Sequence, residues 1–150
     1  MKAMIVKPLA LLALCAALFS FTHPAGGEGY EIFLNNRLLA QHFGATAGNP
    51  QTLTLDQTAF TGQLVVKYYH CGQPGKSRVI VIRNPHTNAS KQWTFADSPA
   101  TPMMTIALKD VSSLQDHTGT ALELYYTSSL LPTARLLATI ETTSSSVRTR

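Results

Sequence analysis

His70 and Cys71 stand side by side, and a thiol with an imidazole at hand is a recurring nucleophile. Consecutive residues of a strand point to opposite faces, however, so this imidazole cannot serve its own neighbour's sulfur. A partner would have to be His42, His86 or His117, and no Gly-rich oxyanion turn adjoins Cys71. Burial as a small, inert hydrophobe is therefore the expectation for Cys71.

The same residues raise a metal question. Cys71, His70, His42, His86 and His117, with Met103 and Met104, are soft or borderline ligands of the kind that hold copper or zinc. No two of the histidines have ligand spacing, and Met104 shares the face of Ile106 and Leu108, where core is its natural role. Gly75-Lys76-Ser77 ends like a phosphate-binding loop, but His70 stands where that motif needs its first glycine. The carboxylates Glu31, Asp56, Asp97, Asp110, Asp116, Glu123 and Glu141 are spread singly and offer no pair for glycoside chemistry. Tyr68, Tyr69, Tyr125 and Tyr126 are the candidates for an aromatic ligand-binding face, with Trp93 and about half of the tyrosines assigned to the core.

Strands have to position these groups. Tyr30–Leu34 and Arg37–Phe43 flank Asn35-Asn36, a two-residue turn that suits positive φ at both central positions. Counting outward sets Phe33 opposite Leu38 and Ile32 opposite Leu39, with both faces apolar near the tip. Further strands are expected around Leu53–Leu55, Leu64–Cys71, Arg78–Arg83, Lys91–Phe95, Met103–Leu108, Leu122–Tyr126 and Arg135–Ile140. In the last of these, Leu136, Ala138 and Ile140 are expected on one side. Gln73-Pro74-Gly75-Lys76 reads as a type II turn, and Lys109–Leu114 as a short helical turn. About eight strands and no long helix give an all-β fold, a single antiparallel β-sandwich with a barrel as the alternative.

The N-terminus sets the compartment. Lys2 and Lys7 precede an apolar stretch from Leu9 to Phe21, and small or turn-forming residues follow. That stretch has signal-peptide length and falls short of the ~20 residues of a membrane span. The expected organisation is a signal peptide over 1–25 with cleavage near 22–27, a sandwich domain over 26–141 and a polar tail over 142–150. Lipid attachment at Cys15 is disfavoured, because Leu14 occupies the position where lipoprotein signals want Gly, Ala or Ser. Without Lys2 and Lys7, ten basic residues face eight acidic ones and no basic run exceeds one residue. A nucleic-acid footprint is not expected.

Across Tyr69-His70-Cys71-Gly72-Gln73-Pro74-Gly75-Lys76-Ser77-Arg78, Trp93-Thr94-Phe95-Ala96-Asp97 and Leu124-Tyr125-Tyr126-Thr127-Ser128, the chain resembles a group of small exported proteins of Bacteroidetes-type bacteria. The similarity spans most of Tyr30 to Ile140. It brings no assigned activity and no site residues; it implies a periplasmic or surface setting and one intact domain. The expectation is thus a periplasmic or secreted binding or accessory module with no catalytic residues, no cofactor and no transmembrane span in the mature chain. Its partner would be a protein or small ligand at the cell envelope. The alternative is a periplasmic copper-binding or thiol-active protein built on Cys71 and the histidines.

Overall fold

Alternation of apolar and polar residues gives each strand one face to bury, and two sheets result from burying those faces together. A computed structural model describes residues 27–44, 48–97, 102–116 and 119–143. Among them, β1 (Gly29–Leu34), β2 (Arg37–Phe43), β3 (Gln51–Asp56), β4 (Gln63–Tyr69) and β5 (Arg78–Arg83) come first in the chain. β6 (Ser90–Phe95), β7 (Met103–Ala107), β8 (Leu122–Ser128) and β9 (Leu131–Thr143) follow. A four-stranded sheet has the order β2-β1-β4-β7, and a five-stranded sheet the order β3-β9-β8-β5-β6. Each sheet keeps two edge strands, so the molecule is an all-β sandwich and not a closed barrel. No helix among the described residues is long and apolar enough to cross a membrane.

Ile32, Leu64, Val66, Met104 and Ile106 of the smaller sheet meet Ile80, Ile82, Leu122, Leu124, Leu137 and Ile140 of the larger one, all fully or almost fully buried. Burial of each such side chain is worth roughly 1.5–3 kcal/mol, and this core holds the fold. Inter-sheet packing is completed at one end by tyrosines. The Tyr68 and Tyr126 rings stack across the sandwich at 4.1 Å and 12°, and Tyr30 Oη donates to the Leu137 carbonyl at 2.9 Å.

Several local expectations change. β3 pairs with β9 in parallel, so the larger sheet is mixed. Asp56 caps a 3-10 turn at Gln57–Thr61 by accepting the Ala59 N–H at 2.9 Å. Asn35 and Asn36 take φ of 45° and 68°, as the two-residue hairpin requires, and Phe33 faces Leu38. Ile32, however, faces Ala40 and not Leu39, because a bulge inserts one residue into β2. A second bulge in β9 pairs Tyr125 with Leu136 and Leu124 with Ala138, which sends Leu136 to the face opposite Ala138 and Ile140. β9 runs to Thr143 beside Asp56, so the polar tail starts later than position 142. The leader over 1–25, Cys15 and the tail from 144 onward lie outside the described residues.

The turn after β4 also moves. Cys71 and Gly72 take φ of 52° and 84°, and His70 and Gln73 exchange backbone hydrogen bonds of 2.7 and 3.1 Å. This is a two-residue hairpin with positive φ at both centres. Pro74-Gly75 is not the turn, and Gly75 is needed for another reason: a Cβ there would lie 2.7 Å from Tyr126 Oη.

Candidate functional site

Among the described residues, two gatherings of chemistry-bearing side chains bear on function. The first is a polar chain inside the sandwich beside the tyrosine stack. β4 ends by turning His70 inward, where its Nε2 lies 3.0 Å from both Tyr126 Oη and Ser128 Oγ. On the other side of the ring, Nδ1 is 3.6 Å from Glu28 Oε1. Glu28 Oε2 accepts from Tyr68 Oη at 3.2 Å and from Arg135, which also donates to Tyr68 Oη. Burial pushes the Glu28 carboxyl upward, but the Arg135 bond and charge, with Tyr68 and His70, hold it below its ordinary value. Burial lowers the His70 pKa against the opposing pull of Glu28. Burial likewise raises the Tyr68 and Tyr126 phenols.

Ser128, His70 and Glu28 thus stand in the order of a hydrolytic triad, and a neutral imidazole is what a general base needs. The surroundings argue against turnover. Ser128 is only 4% exposed, and its Oγ already accepts the Leu131 N–H at 3.2 Å. The next backbone donor, Ser129 N–H, is committed to the Lys76 carbonyl at 2.9 Å and cannot serve an oxyanion. The chain of hydrogen bonds is a strut between the sheets.

The second place is the outer face of the four-stranded sheet. Register aligns its side chains in three rows. Phe43, Gly29 and Tyr69 form one row, Gln41, Glu31, Lys67 and Met103 the next, and Leu38, Phe33, Val65 and Thr105 the third. Phe43 lies over Gly29, whose missing Cβ would sit 2.3 Å from the ring, and the Phe43 and Tyr69 rings approach to 6.3 Å. Tyr69 Oη donates to Glu31 Oε2 at 3.1 Å, Lys67 Nζ stands 3.8 Å from the same oxygen, and that ammonium rests 4.5 Å above the Phe33 ring. Burial, then the bond to Glu31, raises the Tyr69 pKa. A shallow groove of about 490 Å³ is lined by Gly27, Glu31, Phe43, Tyr69 and Gly72. Phe43, Met103 and Leu38 are 58%, 49% and 43% exposed, three of the four large apolar side chains left open among the described residues.

The sequence candidates fall apart spatially. Tyr68 and Tyr126 point into the core, Tyr69 points out of the smaller sheet and Tyr125 out of the larger one, so the four share no face. Tyr125 packs instead with Arg83 and Glu123, accepting from Arg83 and donating to Glu123 at 3.1 and 2.9 Å. His42 Nε2 accepts the Gly48 N–H at 3.1 Å beside Tyr30, His86 is exposed in the turn built on Asn84, and His117 lies outside the described residues. Cys71 is exposed and not buried, because the hairpin carries it out of the strand. Among the described residues no three His, Cys, Asp or Glu side chains converge where a metal could be held. Sequence reasoning gave Phe43, Glu31, Leu38 and Met103 no place on a docking face. The β2 bulge explains Phe43: the unbulged count places it inward, and a shift of one residue turns it out.

The left-handed conformation of Cys71 has a measurable cost, since a side chain there loses about 1–2 kcal/mol relative to glycine's freedom. Cys71→Gly should therefore raise the unfolding free energy, and with it the urea midpoint, by up to about 1 kcal/mol after its larger unfolded-state entropy is charged. An unchanged or lowered midpoint in urea titration would mean the thiol makes contacts that repay its strain.

No known protein family, curated protein or solved structure matches the chain.

Proposed function

We propose that the protein is a non-catalytic binding or accessory module of the periplasm or the secreted milieu, and that it docks through the outer face of its four-stranded sheet. The concentration of Phe43, Leu38 and Met103 on that one face is the observation that carries the reading. Large apolar side chains gathered on one exposed surface mark interaction sites. The leader-like Met1 to Ala25 segment supports the compartment. A copper or thiol function is less well supported, since His70 faces the core while Cys71 faces solvent.

A second reading rests on the groove. Phe43 and Tyr69 offer ring faces, and Glu31 beside them offers carboxylate acceptors, the pairing that holds a sugar ring by stacking and hydroxyl hydrogen bonds.

Hydroxyl-radical footprinting separates docking from an idle surface. In cells carrying the protein, Phe43, Tyr69 and Met103 should be oxidised several-fold more slowly than in dilute purified protein. Tyr125, on the opposite outer face, should keep the same rate in both. Equal rates at both faces in both settings would remove the docking reading.

A further inference from the structure

We infer that the partner of this face is a second copy of the chain, related by a two-fold axis that lies in the contact plane and runs along the strands between β1 and β4. The inference rests on the docking reading and names its partner. Two observations support it: the rows of the face and the placement of its charges.

Glu31 on β1 and Lys67 on β4 occupy one row on adjacent strands, and they are the carboxylate and ammonium at the centre of the face. A two-fold operator brings each residue of one copy against a fixed residue of the other, so the pattern must be self-complementary. An axis along β1 would place Glu31 on its own copy, and an axis along the middle row would do the same. Like charges so opposed would be repelled. Only the axis between β1 and β4 lays β1 over the partner's β4, setting Glu31 against the partner's Lys67 and Lys67 against the partner's Glu31. Phe33 then meets the partner's Val65, and Tyr69 meets the partner's Gly29, over which the partner's Phe43 ring lies.

The same axis lays β2 over the partner's β7, setting Leu38 against the partner's Thr105 and Gln41 against the partner's Met103. A polyanion would need a face of one sign, whereas this one carries both in adjacent positions.

Strand spacing of about 4.8 Å and rise of about 3.4 Å per residue make a four-stranded face roughly 20 Å on a side. That falls short of the ~800 Å² per partner of a tight interface, so the dimer is weak, with dissociation in the micromolar range.

Sedimentation velocity on the purified chain from about 1 to about 500 μM spans that range. The sedimentation coefficient should rise from monomer to dimer with concentration. Glu31→Lys and Lys67→Glu should each weaken association at least about tenfold, and the double exchange should restore it. Circular dichroism and the unfolding midpoint confirm that each variant is folded. Dimers indifferent to the single exchanges would overturn this axis. Monomers throughout would overturn the inference, and footprint protection retained in cells would then leave the face to another protein or a glycan.

Discussion

Gly75→Ala is expected to lower the unfolding free energy by about 3 kcal/mol, from overpacking together with a strained hydrogen bond. The new Cβ would lie 2.7 Å from Tyr126 Oη and 2.9 Å from His70 Nε2. Neither atom is the far end of a pliant chain. Tyr126 is clamped by the 4.1 Å stack on Tyr68, and the His70 ring centroid is 4.8 Å from the same Tyr68. Making room would pull the imidazole off Tyr126 or Ser128, deep between the sheets. Urea titration would show a lower midpoint with an unchanged slope. Gly72→Ala is the control, because its Cβ meets nothing within 4 Å and only its φ of 84° is unfavourable. It should lose about 1–2 kcal/mol. A neutral Gly75→Ala would show that the strut tolerates displacement and is not a fixed link.

The second large effect is acid lability. His70 has a folded pKa below the ordinary 6.5, through burial opposed by Glu28. The unfolded chain therefore takes up this proton first. Its stabilisation is whole above about pH 6.5 and is lost as pH falls from there through the lowered folded value. Glu28, held below 4.5, acts in the same sense at lower pH: its contribution is present above that value and disappears as pH falls through its lowered one. Arg135, Tyr68, Tyr126 and Ser128 complete the groups facing the imidazole and carboxylate. Unfolding midpoints measured from about pH 8 to about pH 3 should fall in two stages. His70→Gln should flatten the upper stage and keep the lower one. Stability that rises between about pH 7 and pH 5 would contradict the buried neutral imidazole. At the alkaline end, the raised Tyr68 and Tyr126 phenols predict a decline above about pH 10, where unfolded tyrosines ionise.

What could be read from the chain was local. Leu64, Val66 and Tyr68, or Met104 and Ile106, declare a face by alternation alone, and Asn35-Asn36 declares its turn by tolerance of positive φ. Bulges broke the count, because a single extra residue in β2 or β9 leaves composition unchanged while reversing every side chain beyond it. The Cys71-Gly72 turn was hidden behind the stronger Pro-Gly signal, whose glycine serves packing and not φ. Non-local pairings were invisible in principle. Glu28 meets Arg135 across 107 positions, and His70 meets Ser128 across 58, with no spacing rule to link them. The aromatic candidates failed for a simpler reason: Tyr68-Tyr69 and Tyr125-Tyr126 are adjacent pairs, and a strand must send the members of each pair to opposite sides.

The parallel pairing of β3 with β9 governs the order of assembly. Among the described residues β3 has no neighbour in its sheet other than β9, and Gln51 must wait for Ala138. Hairpins such as β1–β2 and β8–β9 can zip early over short loops, but this join closes a long one and its entropic cost comes due before any reward. Completion of the larger sheet is therefore the late, slow event, and a nascent chain stays unlatched until β9 has been made.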